Sequence, residues 1–209
     1  MRGKFLSFEG GEGAGKSTQI QLLGENLRSR GFEVVLTREP GGTELGEDLR
    51  KIIKYADYGR EISQETEALL FAAARAQLVS EVIVPALERG AYVLSDRFVD
   101  SSVAYQGAGR VLGMTEIAKL NRFATGGLVP DLTFWIDLPV EVGFARARSR
   151  HPELEKKDRM ESQELRFYER VREAYVKLAA QNPERIVRID GEKSIEEIAA
   201  QIVFCLNLS

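Results

Sequence analysis

Residues 10–18 read GGEGAGKST and follow the apolar run Phe5–Phe8 almost directly. No other stretch constrains the fold as strongly. The pattern G-x-x-x-x-G-K-[ST], from Gly10 to Ser17, has its physical meaning between the end of a β-strand and the start of an α-helix. Glycines let the backbone curl so that successive N–H groups point inward, and the helix N-terminus adds partial positive charge. The backbone of Gly10, Gly11, Glu12, Gly13, Ala14 and Gly15 then cradles phosphates, and Lys16, Ser17 and Thr18 complete the ATP-binding stretch. Lys16 reaches the outer phosphates, and the Ser17 hydroxyl takes a place on Mg²⁺. The loop signals a nucleoside triphosphate and is silent about what is done with it. Glu12 is the odd member. A carboxylate gains nothing from facing phosphates, so Glu12 is expected to point elsewhere.

The rest of the chain alternates short β-branched runs with longer amphipathic segments. Strands are predicted at Lys4–Phe8, Glu33–Thr37, Tyr92–Ser95, Leu132–Asp137 and Arg185–Ile189. Ile20, Leu23 and Leu27 share a helix face after the glycine loop, and Ile195, Ile198 and Ile202 do so near the C-terminus. A long helix is predicted from about Gln64 to Glu88, with Leu69, Ala72, Ala73, Ala76 and Val79 along one face. Alternating strand and helix implies an α/β fold, a parallel sheet with helices on both faces. The 209 residues show no repeat and no composition break, so one domain over residues 1–209 is expected. A net charge of −3 speaks against a broad nucleic-acid surface. The single cysteine, Cys205, excludes an intrachain disulfide and makes a reducing cytoplasm the default compartment. The N-terminal apolar run is too short for a signal peptide, and no apolar stretch is expected to cross a bilayer. His151, the only histidine, has no Cys or His neighbour in sequence and supports no metal site.

Three features narrow the chemistry. Tyr92–Arg97 reads YVLSDR, which places Asp96 and Arg97 at the carboxyl edge of a parallel sheet, near the phosphate loop. Asp96 is positioned to hold Mg²⁺ through water, and Arg97 to grip an anionic second substrate. No N-K-x-D occurs, which removes the guanine-reading feature of switch GTPases. Arginines cluster at Arg146, Arg148, Arg150 and Arg159, in a segment poor in large apolar side chains. Phosphoryl transfer depends on positioning and on neutralising charge, so Arg146–Ser162 reads as a small arginine-rich lid that also excludes water.

Taken together, the blocks FEGGEGAGKST (Phe8–Thr18), TREPGGT (Thr37–Thr43), LLFAAARAQ (Leu69–Gln77), SDRFVDSSVAYQG (Ser95–Gly107) and DRME (Asp158–Glu161) resemble thymidylate kinase of the bacterial type, a P-loop nucleoside monophosphate kinase. They come in the family's order over most of the chain. The resemblance implies a three-layer P-loop fold with five strands in the order 2-3-1-4-5, a homodimer packed through helices, and transfer of the γ-phosphoryl of ATP to dTMP with Mg²⁺. It implies that Phe71 stacks on thymine, that Arg75 donates to thymine O4, and that Ser101 and Gln106 read the N3 edge. Tyr105 would lie where a ribose 2′-hydroxyl projects, and Arg38 and Arg97 would grip the dTMP phosphate. Glu12 would turn to the acceptor, accepting from the sugar 3′-hydroxyl or holding water near Mg²⁺. No arginine lies between Gly10 and Lys16, so Arg150 and Arg159, with Arg148 behind them, would supply transition-state charge from the lid. The insertion HPELEKK before DRME departs from the family pattern and lengthens that lid. Glu39 would orient the arginines or the metal waters, its alternative being an exposed turn residue.

Two other classes fit the phosphate loop alone. One is a P-loop kinase for another acceptor, such as AMP, CMP, shikimate or a nucleoside. The other is an ATPase or switch, with or without nucleic acid, whose output is a conformational change. The paired anion grips, Arg38 and Arg97, favour a kinase over an ATPase.

Overall fold

The structure, a computed structural model, describes residues 3–55, 58, 62–150 and 165–206. Its frame is a five-stranded parallel sheet in the order β2-β3-β1-β4-β5. The central strand β1 (Lys4–Glu9) pairs with β3 (Tyr92–Asp96) on one side and β4 (Leu132–Asp137) on the other. Outside them lie β2 (Val34–Arg38) and β5 (Ile186–Asp190). The central strands are buried on both faces because helices cover both, as parallel sheets require. Leu6 and Phe8 face α1 (Lys16–Ser29) and α9 (Ile195–Cys205), whose Leu23, Leu27, Ile198 and Ile202 complete that layer. Ile195, placed on the same face by periodicity, is half exposed. Strand alternation turns Phe5, Ser7 and Glu9 the other way.

That second face carries a polar seam. Ser7 Oγ lies 2.9 Å from Thr133 Oγ1, and Thr133 donates to Asp100 of the short helix α5 (Val99–Ser102). Arg185 closes the seam with a two-pronged pair on Asp100, at 2.7 and 2.9 Å. Beside it, Trp135 stacks on Tyr175 of α8 (Leu165–Gln181) at 5.8 Å between ring centroids.

Each sequence-predicted strand is present, with ends displaced by at most one residue. The long helix is present as a continuous run. It comprises α3 (Gln64–Leu78), a π-helical stretch at Val79–Ile83, and α4 (Val84–Glu88). The widened stretch precedes Pro85, whose ring is incompatible with a regular i−4 hydrogen bond. Ser63 starts the run by accepting from Thr66 N at 3.1 Å.

The face expected on this helix is corrected. Leu69 is 58% exposed and Ala73 is exposed, while Glu67, Ala68, Ala72, Arg75 and Leu78 are buried. Two charged side chains that find ion-pair partners inside rotate the buried stripe away from the one that hydrophobicity alone favours. A second correction concerns length. The Gln64–Glu88 helix is long and apolar enough to cross a membrane by length and composition, an 18-residue window within it having a mean hydropathy of 1.5. It is packed instead through Glu67 and Arg75 against the rest of the protein. Between α2 (Glu44–Tyr55) and α6 (Met114–Ala124) it walls the region above the sheet's carboxyl edge.

Asp100→Ala is expected to lower stability by about 3–5 kcal/mol, because it leaves Arg185 partly buried without its counter-charge. Urea unfolding should show a lower midpoint with an unchanged slope.

Candidate active site

The glycine loop joins β1 to α1 as the sequence requires. Gly10 has φ 140°, and a Cβ there would lie 2.5 Å from the Ile136 carbonyl oxygen. Gly15, at φ 91°, is the N-cap of α1. Lys16 lies across the loop, its Nζ donating to the Gly11 carbonyl at 2.9 Å and the Gly10 carbonyl at 3.3 Å. Burial, and then the neighbouring Arg97 charge, push the Lys16 pKa below its ordinary value. Ser17 Oγ donates to Asp96 Oδ2 at 2.8 Å, so the end of β3 and the start of α1 meet at the two atoms expected around a metal.

A cavity of about 260 Å³ opens from this loop along the carboxyl edge of the sheet. Gly13, Ala14, Gly15, Lys16, Ser17 and Asp96 form one end. Phe71, Tyr105 and Gln106 line it with Arg38, Glu39, Arg97 and Ser101. Glu12 also faces it, so the carboxylate points toward the cavity and the arginine within it. Its Oε1 accepts from Arg97 Nη2 at 2.8 Å. Burial alone would raise the Glu12 pKa, but Arg97, Lys16 and Lys54 outweigh it and hold the carboxyl below its ordinary value.

Arg97 is held in an unusual way. Its φ is 74°, a left-handed conformation that costs an ordinary residue about 1–2 kcal/mol. Three hydrogen bonds enforce it: Arg97 N to Phe8 O at 3.0 Å, Ser95 Oγ to Arg97 O at 2.7 Å, and Phe98 N to Glu9 Oε1 at 2.8 Å. The guanidinium donates to Gly10 O at 3.1 Å and Ser101 Oγ at 3.2 Å, and stands 4.8 Å over the Tyr105 ring. The Tyr105 hydroxyl is buried with no hydrogen-bond partner among the described residues. Burial pushes its pKa up to about 12.

Behind Arg97 sits a residue that motif reading passed over. Glu9 is fully buried at the last position of β1 and accepts from Phe98 N, Ser101 Oγ and, at 2.8 Å, Tyr175 Oη. Burial and the nearby Asp100 carboxylate push its pKa up, and Ser101, Arg97 and Tyr175 pull it partly back, to about 7. A charged residue at the end of an apolar strand was the available signal.

Several expected roles are modified. Ser101 lines the cavity and also bonds to Glu9 and Arg97, with its hydroxyl 3.1 Å from Tyr175 Oη. Arg75 is not part of the cavity wall. It is 1% exposed and pairs through Nε and Nη2 with Glu39, while Nη1 donates to Asn121 and Nη2 to Ser102 and Phe98 O. Glu39 is thus buried beside Arg75, not an exposed turn residue, and burial raises its pKa despite that partner. Arg38 lines the cavity with its guanidinium on Glu47, 3.1 Å from both carboxylate oxygens. Of the expected lid, Arg146 and Arg148 lie in α7 (Val140–Arg150), where Arg146 donates to Gly191 O at 2.8 Å. The Arg150 side chain and Arg159 lie outside the described residues.

A parallel sheet in this order, with a GxxxxGKS loop at the central strand and an arginine-gripped cavity beyond it, defines a P-loop phosphotransferase. The sequence model of the thymidylate kinase family, described as "Thymidylate kinase", matches residues 8–202, and the chain belongs to that family. Among curated relatives, the thymidylate kinases of Nostoc sp. and Kosmotoga olearia are each 50% identical to it. The first match spans 198 residues, 95% of this chain and 92% of the relative. The second spans 199 residues, 95% of this chain and 93% of the relative. The crystal structure of thymidylate kinase from Ehrlichia chaffeensis superposes with a TM-score of 0.78 at 32% identity, covering 99% of this chain and 100% of that one.

The raised Glu9 pKa has a defined consequence. The folded carboxyl keeps its proton above its ordinary value of 4.5, so between there and about 7 the native state binds more protons than the unfolded one. This contribution to stability is complete below that window and is lost as pH rises through it. Glu9→Gln imitates the protonated form. The fall in urea midpoint between about pH 5 and about pH 7.5 should be shallower in the variant than in the parent. Parallel profiles would mean that Glu9 does not titrate in this range.

Proposed function

We infer that this chain phosphorylates dTMP to dTDP, with ATP as the phosphoryl donor and Mg²⁺ beside the transferred group. The observation that carries this reading is one cavity running from Lys16 and Ser17 to Phe71 and Gln106, with Arg38 and Arg97 on its wall. Its phosphate end suits a triphosphate and its aromatic end suits a base, leaving the acceptor phosphate beside Arg97.

In this reading Gly10–Thr18 enclose the ATP phosphates through backbone N–H groups. Lys16 leaves the loop carbonyls for the outer phosphates. Ser17 and Asp96 offer one hydroxyl and one carboxylate, a set that suits Mg²⁺ because this ion keeps several waters and takes phosphate oxygens as well. When bound, the ion neutralises charge on the phosphates. Arg97 and Arg38 grip the dTMP phosphate, with Arg97 oriented by Glu12 and Ser101. Glu12 also accepts from the sugar 3′-hydroxyl. Phe71 stacks on thymine, and the unpartnered Tyr105 hydroxyl lies against the sugar, favouring deoxyribose. Arg75 retains one Nη1–H beyond its bonds to Asn121 and Glu39, the donor we assign to thymine O4. No side chain need act as a strong base, since the dTMP phosphate is already a competent nucleophile and the transition state is loose. Arg150 and Arg159 are the lid charges we assign to the moving phosphoryl group. We assign the whole chain to one P-loop kinase domain in the cytoplasm. The exposed Leu69 and Ala73 on α3 support a homodimer packed through helices.

The decisive experiment is ADP release from Mg·ATP without acceptor and then with dTMP, dUMP, ribo-TMP, CMP and AMP. A large increase with dTMP and a smaller one with dUMP is expected. Equal release throughout would leave a P-loop ATPase. Phe71→Ala should raise the dTMP KM about 5- to 100-fold, the loss of one base–aromatic stack, with less effect on kcat. Lys16→Ala should do the opposite, lowering kcat by at least ~100-fold with little change in the dTMP KM.

A further inference from the structure

Gln106 lines the base end of the cavity yet is 1% exposed, so its amide faces protein on one side and cavity on the other. Its Nε2 donates to Glu67 Oε1 at 3.0 Å. Glu67 is also 1% exposed, and its carboxylate receives Arg110 through Nε at 3.2 Å and Nη2 at 3.0 Å. Arg110 is fixed in turn over the Phe167 ring, 5.1 Å from its centroid. A carboxylate whose oxygens receive an arginine fork presents acceptors to its other neighbour. The amide must therefore present its NH₂ to Glu67. Its oxygen is turned the other way, and no protein donor among the described residues meets it.

We propose that Glu67, anchored by Arg110, is a positioning residue that fixes the Gln106 amide with its oxygen toward the base, and so restricts the site to pyrimidines bearing hydrogen on N3. Thymine and uracil carry N3–H and satisfy that oxygen. Cytosine carries a lone pair at N3, which would meet the Gln106 oxygen as acceptor against acceptor. An unrestrained glutamine would turn its amide over and give its NH₂ to cytosine N3. Glu67 closes that route, because the turned amide would set two oxygens against each other in a buried place, and unmatched buried polar groups discriminate strongly. Selection is thus placed outside the cavity, in a buried ion pair that never touches the substrate. The assignment rests on the base-binding reading above, and the test separates the two.

The measurement is kcat/KM for dTMP, dUMP and dCMP with the parent and with Glu67→Gln. A glutamine at 67 donates or accepts, so the Gln106 amide becomes free to turn. The preference for dTMP over dCMP should fall by at least ~10-fold, largely because dCMP improves, and dUMP should follow dTMP. A uniform loss across the three substrates would show a merely structural role and overturn the assignment. The exchanged pair, E67Q with Q106E, carries the test further. A carboxylate at 106 accepts whichever way it turns, so the dTMP preference should return to within ~3-fold of the parent. Loss of preference in the exchanged pair overturns the assignment, including where the single variant is too unstable to assay. A parent that prefers an acceptor other than dTMP fails the base-binding reading itself, an outcome distinct from a uniform loss in the variant.

Discussion

The buried carboxylate of Glu9 holds the two halves of the site in register. It ends the central strand, where the chain is about to turn into the phosphate loop, and it grips the turn after the neighbouring strand through Phe98 N and Ser101. Tyr175 brings a third element, α8, onto Oε2, the oxygen that Ser101 also meets. Through that clamp Arg97 is kept in a left-handed conformation that an arginine would not adopt unaided. Its guanidinium then bridges the loop, at Gly10 O and Glu12, to the wall of the cavity. Without the clamp, the glycine loop and that wall would be joined only by a flexible side chain.

Charge is managed by pairing in layers. Nearest the cavity, Glu12 and Arg97 face each other at 2.8 Å, and Lys16 rests on backbone carbonyls. One layer further out, Arg75 is paired with Glu39, and Arg110 with Glu67. Removing one member of such a pair strands its partner in a low dielectric, so each pair fixes geometry beyond its own contact. Gln106 and Glu39, which line the cavity, are each hydrogen-bonded to a buried charged partner in these layers. A site that must tell similar small molecules apart gains from that rigidity, because the energetic difference lies in groups that cannot rearrange.

The positions of the strands and of the loop were legible because both follow from local rules, whereas the strand order came with the family resemblance. Apolar runs of five or six residues alternating with amphipathic helices admit little besides a parallel sheet. A glycine-rich loop ending in Lys16 and Ser17 must close onto a helix. Phe71, Tyr105 and Gln106 were placed at the site through the resemblance of their surrounding blocks, and they do line one cavity. Ser101 lines the same cavity and Arg75 lies behind its wall, each with several protein partners that the blocks do not reveal. Periodicity misjudged the buried stripe of the 64–88 helix, since it ranks Leu69 above Glu67 and Arg75 and has no means of foreseeing their ion pairs.

The amino-acid sequence alone determined the fold class, the phosphate loop and the family, because these depend on patterns within a few residues and on blocks of recognisable order. It also gave, from charge alone, the expectation that Glu12 turns away from bound phosphate. Tertiary structure decided which polar side chains are free and which are already engaged. Glu9, Tyr175, Asp100 and Arg185 come together from four separate stretches of the chain, as do Glu67, Gln106 and Arg110 from two. No spacing rule connects residues up to 166 positions apart. Their pairing exists only once the sheet has set the strands side by side and excluded the water that would otherwise have satisfied each of them separately.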